Sequence, residues 1–68
     1  MKLTLGRLIR LKRAQKEYTM RALADEIGVS RQAIVFWEKG NDIRFQQFIK
    51  LAKALDFSTE DILNLIKE

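Results

Sequence analysis

Residues 19–40 read TMRALADEIGVSRQAIVFWEKG, and the fold turns on how this stretch is read. Thr19 stands ahead of the apolar positions Leu23, Ala24 and Ile27, which recur at helical spacing. Its hydroxyl can accept one of the free backbone N–H groups at a helix start, so a short helix is predicted over Met20–Ile27. Gly28 ends that helix, because glycine enters the left-handed conformation without steric penalty. Ser30 is the next N-cap and opens a helix over Arg31–Lys39, with Val29 and Ile34 bracketing its start as a hydrophobic staple. Gly40 stops it. Two short helices therefore share a turn of three or four residues. Ala24 is small where the second helix must approach closely. Phe36 and Trp37 are adjacent, so they cannot both point inward. Trp37 is assigned to the core, which leaves Arg31, Gln32, Val35 and Phe36 on the outer face.

The same spacing continues on both sides. Leu5, Leu8 and Ile9 make one face of a first helix over about residues 4–16, interrupted at Lys16-Glu17-Tyr18. Residues 41–44 form a loop. Phe45, Phe48, Ile49, Ala52 and Leu55 form the stripe of a fourth helix over 45–55. Ser58 caps a fifth, about 59–67, with Glu60 and Asp61 near its positive end and Ile62, Leu63, Leu65 and Ile66 facing inward. No sustained period-two alternation is present, so strands are not expected. The expected fold is all-α: a compact five-helix domain over residues 1–68. A chain of this size buries only about 60% of its surface on folding. Local helical contacts make that tolerable, because little long-range loop closure is needed.

Composition narrows the function. The chain has 68 residues, 13 Lys and Arg against 9 Asp and Glu, and a net charge of +4. Lys2, Arg7, Arg10, Lys12, Arg13 and Lys16 lie in the first sixteen residues with no acid among them, so the positive end is expected at the N-terminus. A basic domain points to nucleic acid or an acidic surface as partner. With no Cys and no His, disulfides and zinc sites of the Cys/His type are excluded, and no metal or cofactor is expected. Thr19, Ser30 and Ser58 are placed as caps, and no His is available to activate a hydroxyl, so catalysis is not expected. No apolar run approaches the roughly 20 residues that span a bilayer. No leader-like segment opens the chain, and a cytoplasmic setting is expected.

Two short helices around a turn containing Gly28 describe a helix-turn-helix, here over about residues 20–38, whose second helix enters the major groove of DNA. The chain resembles the Cro and phage-repressor (XRE) type of helix-turn-helix regulators across about residues 5–66. The resemblance is carried by Arg13, Thr19, Leu23-Ala24, Gly28-Val29-Ser30, Ile34 and Trp37-Glu38-Lys39-Gly40. Leu51-Ala52-Lys53-Ala54-Leu55, Ser58 and Ile62-Leu63 also fit the pattern.

The resemblance implies a lambda-repressor-like fold and a transcriptional regulator, repressor by preference, that binds double-stranded DNA as a homodimer on a palindromic operator. Ser30, Arg31 and Gln32 match the start of the recognition helix. Arg31 matches a bidentate contact to guanine and Gln32 one to adenine. Val35 is positioned for a methyl group. Phe36 stands where a polar residue is usual, either against a thymine methyl or in a partner contact. Thr19, Arg21, Ser30, Lys39, Asn41 and Arg44 match phosphate-facing positions. Arg13 and Glu38 match a partly buried structural ion pair.

Four departures stand out. Met20 replaces a common phosphate-contacting Gln, and Glu17 a common Gly. Asp42 puts an acid in the phosphate-facing loop, and no Pro precedes the fourth helix. Ile43, Phe45, Phe57, Leu65 and Ile66 are either a dimer patch or core. The competing reading is an antitoxin-like or accessory module whose main act is binding another protein.

Overall fold

A computed structural model describes residues 4–66, Ile66 by its backbone alone. Five helices follow in order: α1 (Leu5–Gln15), α2 (Met20–Ile27), α3 (Arg31–Glu38), α4 (Phe45–Leu55) and α5 (Thr59–Ile66). There is no strand among the described residues. The third helix is one residue shorter than expected, since Lys39 is its C-cap. Residue 67, the expected end of the fifth, lies outside the described residues.

The helix starts are held by side chains. Thr4, Thr19 and Ser30 accept the backbone N–H of Arg7, Ala22 and Ala33 at 3.3, 3.0 and 3.2 Å. Ahead of α5 a reciprocal box forms: the Ser58 N–H donates to Asp61 Oδ2 at 2.9 Å, and the Asp61 N–H donates to Ser58 Oγ at 3.0 Å. The first four helices end alike. In each, a residue in the left-handed region is followed by an N–H reaching back five residues: Tyr18 to Arg13, Val29 to Ala24, Asn41 to Phe36 and Phe57 to Ala52. Gly28 and Gly40 occupy two of the left-handed positions, and Glu17 (φ 59°) and Asp56 (φ 54°) the other two.

Ile9, Leu23, Ala24, Ile27, Ile34, Trp37, Leu51 and Leu55 make one buried cluster, with Tyr18, Met20, Val29, Ile43 and Phe57 packed against it. Two expectations need correction. On α4 the buried edge is Leu51 and Leu55, while Phe45 is 75% and Ile49 41% exposed. Apolar residues occupy two edges of this helix, and packing against α1 and α2 selects one of them. On α5, Leu63 faces solvent instead of the core. Asp61, Ile62 and Leu65 form the inner edge there. An ion pair from Lys12 to Asp61 ties that edge to α1.

Candidate nucleic-acid interface

The third helix divides cleanly along its length. Ile34 and Trp37 go into the core, and Glu38 is buried beside them. Arg31, Gln32, Phe36 and the C-cap Lys39 are exposed, and Val35 is half-buried between the two arcs. Successive residues are about 100° apart on a helix of 3.6 residues per turn, so Arg31, Gln32, Val35, Phe36 and Lys39 share the outer arc. That arc carries two cations, an amide, two apolar groups and no acid.

The inner arc is anchored from behind. Arg13 Nε donates to Glu38 Oε2 at 3.0 Å, and its Nη2 donates to Oε1 at 3.5 Å. Its Nη1 donates to the Tyr18 carbonyl at 3.0 Å. One guanidinium thus fastens the end of α3 to α1 and to the α1–α2 turn. Such multidentate, charge-assisted bonding holds orientation as well as contact. Arg10 approaches the same carboxylate at 3.6 Å from a largely exposed position. Below the pair, Gly6 lies where an added Cβ would collide with the Glu38 carbonyl, so α1 can approach α3 this closely only without a side chain there. The apolar periodicity of α1 by itself assigns Gly6 no role. The usable signal was a glycine inside a helical apolar pattern, which marks close backbone approach or a cap.

The charges sort by face. On α1, Arg10 and Arg13 engage Glu38, Lys12 engages Asp61 at 3.1 Å, and Lys16 engages Asp56 at 2.6 Å. The Lys16 ammonium, by hydrogen bond and charge, holds the Asp56 carboxyl below the usual carboxylate range, and Lys16 is itself raised in return. Asp61 is lowered first by the Ser58 backbone N–H and then by Lys12. Arg21, Arg31, Lys39 and Arg44 make no ion pair among the described residues. Four of the six N-terminal bases thus meet three acids, whereas the cations of α2, α3 and the loop after it meet none among the described residues.

A helix-turn-helix family model matches residues 9–62, most of the chain. The chain belongs to the helix-turn-helix family of the Cro and phage-repressor type. No curated protein and no solved structure matches it. Family membership makes this a DNA-binding protein of the transcription-regulator kind.

In helix-turn-helix terms, α2 is the first helix of the motif and α3 the second. Thr19 and Arg21 are exposed at the start of α2. Ser30 is exposed at the start of α3. The Thr19 and Ser30 oxygens already accept helix N–H groups, and each hydroxyl keeps a proton to donate. Asn41 spends one amide N–H on the Phe36 carbonyl at 2.9 Å, closing the end of α3, and retains a second donor. Arg44 is exposed at the N-cap of α4, where no side chain caps the helix. Asp42 is exposed in the same loop. Met20 is half-buried against the core, so its family-atypical side chain packs. No described helix is long and apolar enough to cross a membrane.

Proposed function

We propose that residues 1–68 form a single DNA-binding domain that acts in the cytoplasm as a sequence-specific repressor. It binds a palindromic operator as a homodimer, with α3 in the major groove. The observation that carries this reading is the outer arc of α3: exposed, free of acid, and backed by a helix end that Arg13, Glu38 and Gly6 hold in place. Arg31, Gln32, Val35 and Phe36 contact base edges. Thr19, Arg21, Ser30, Lys39, Asn41 and Arg44 contact phosphates, which supply affinity and register.

One recognition helix reads only a few base pairs, so two copies with half-sites about 34 Å apart are needed. Ile43 and Phe57, of the candidate dimer patch, pack onto the core instead. Leu65 is half-buried, and the Ile66 side chain lies outside the described residues. Phe45 remains, with Ile49 one turn along α4, as exposed apolar surface for a second copy to cover, and Leu63 is exposed on α5.

The test is selection of bound duplexes from a random pool, followed by titration of the winner at two salt concentrations. A symmetric site, bound more weakly at higher salt, is expected. Salt-independent binding, or Arg31→Ala leaving sequence preference unchanged, overturns the proposal. The same exposed Phe45 and Ile49 favour a second reading, an accessory module docking on another protein. A stoichiometric co-purifying partner that blocks α3 decides for it, and a clean homodimer decides against it.

A further inference from the structure

The apolar demand of the core on α3 is met by Ile34 and Trp37, yet the helix carries a further aromatic residue, Phe36, that is 53% exposed. Its carbonyl accepts both the Asn41 amide at 2.9 Å and the Asn41 backbone N–H at 3.3 Å, so the last turn that bears the ring is held. Gln32 stands one turn before Phe36, and Arg31 one turn before Val35, so apolar and hydrogen-bonding groups interleave on the arc. The cations Arg31 and Lys39 of the same arc, and Arg21 and Arg44 at the starts of α2 and α4, are without ion pairs among the described residues. A strand of phosphates complements that charge better than an apolar protein face does.

Resting on the DNA-binding reading above, we infer that Phe36, with Val35 beside it, is a reader of the pyrimidine C5-methyl group. The domain thereby distinguishes thymine from uracil and responds to 5-methylcytosine. A phenyl ring has neither donor nor acceptor and cannot read the polar pattern of a base edge. The apolar group that a base pair presents in the major groove is the methyl on C5 of thymine. Cytosine carries only hydrogen at that position, and 5-methylcytosine carries the same methyl in the same place. A ring that closes over the methyl removes both from water, so one methyl is worth about fourfold in affinity.

The experiment uses the full chain and the best duplex selected from a random pool. Each thymine is replaced in turn by deoxyuridine, which deletes the methyl and leaves the hydrogen-bonding edge intact. The expected result is a loss of about fourfold per half-site at one or two positions and none elsewhere. Phe36→Ala, which removes a surface ring and leaves the core untouched, is expected to bind the thymine and deoxyuridine duplexes alike. At the same positions, 5-methylcytosine is expected to bind more tightly than cytosine with the wild-type chain and equally with Phe36→Ala. Deoxyuridine silent at every position, or a loss that persists in Phe36→Ala, overturns the inference. So does a change in oligomeric state on Phe36→Ala without a change in methyl preference, because the ring then belongs to a protein contact. Selective binding blind to the methyl defeats this inference alone, whereas failure to enrich any duplex defeats the DNA-binding reading beneath it.

Discussion

Helix α1 and the α2–α3 face are both rich in Arg and Lys, but their cations are used differently. On α1, Arg10, Lys12, Arg13 and Lys16 are each within ion-pair distance of an acid brought in from α3, α5 or the end of α4. On the other face, Arg21, Arg31, Lys39 and Arg44 meet no acid among the described residues. Charge counted along the chain therefore does not tell which cations are engaged within the fold and which are not. Six bases without an acid look like a binding region, but four of them tie the fold together. The other face, whose segment is slightly acidic by count, keeps its cations unpaired: Glu38 is buried against Arg13, and no other acid of the segment comes within ion-pair distance of them.

The strongest way to break this comparison is to remove the pair that anchors α3. Arg13→Ala leaves the Glu38 carboxylate, with 3% of its side chain exposed, without its principal partner. Stranding a buried charge costs about 3 kcal/mol or more. Urea unfolding is expected to show that loss, while Arg10→Ala, at an exposed position, costs under about 1 kcal/mol. Equal effects from the two would mean the carboxylate is not held as described. Next in size is Gly6→Ala, where the new methyl meets the Glu38 backbone. Overpacking of this kind costs about 1–3 kcal/mol, readable as a fall in Tm.

Binding sharpens the contrast further. Lys39→Gln is expected to weaken DNA uniformly across sequences and to lower the salt slope by about one. Lys12→Gln, at a cation already paired with Asp61, is expected to leave the slope unchanged. If Lys12→Gln lowers it as much, the two regions do not differ as argued.

Acid is a milder probe. The Asp56 and Asp61 carboxyls are depressed in the folded chain, by Lys16 and by Ser58 with Lys12 respectively. Their contribution is complete above the ordinary carboxylate range and is lost as pH falls through and below it. Stability measured against pH should decline there, and a flat profile would show these pairs to be inert. The smallest expected effect is a gain. Glu17 sits at φ 59° where glycine is at ease, so Glu17→Gly should stabilise by about 0.5–1 kcal/mol in chemical denaturation.

Much of this molecule was legible in its residues. The limits of α2 follow from cap chemistry, as do the caps Thr19, Ser30 and Ser58 and the left-handed Gly28, and those of α4 from apolar spacing alone. Trp37 inward and Phe36 outward follow from adjacency on one helix. Less legible were the buried edge of α4 and the exposure of Leu63, because apolar residues lie on more than one side of those helices. The hold of Arg13 on the Tyr18 carbonyl was not legible at all, and the service of Gly6 to α3 showed only as a glycine inside a helical apolar pattern.

Local rules act within about one turn of helix: hydroxyls that satisfy nearby N–H groups, glycines that reverse the chain, side chains that repeat every 3.6 residues. Those rules are written in the order of the residues, and they set where most helices start and stop and which side chains of α3 face outward. Which cations are neutralised, and which of two apolar edges is buried, depends on partners 25 or more positions away. Such partners meet only when packed helices bring distant segments within a few ångströms, and packing is a property of the whole chain at once.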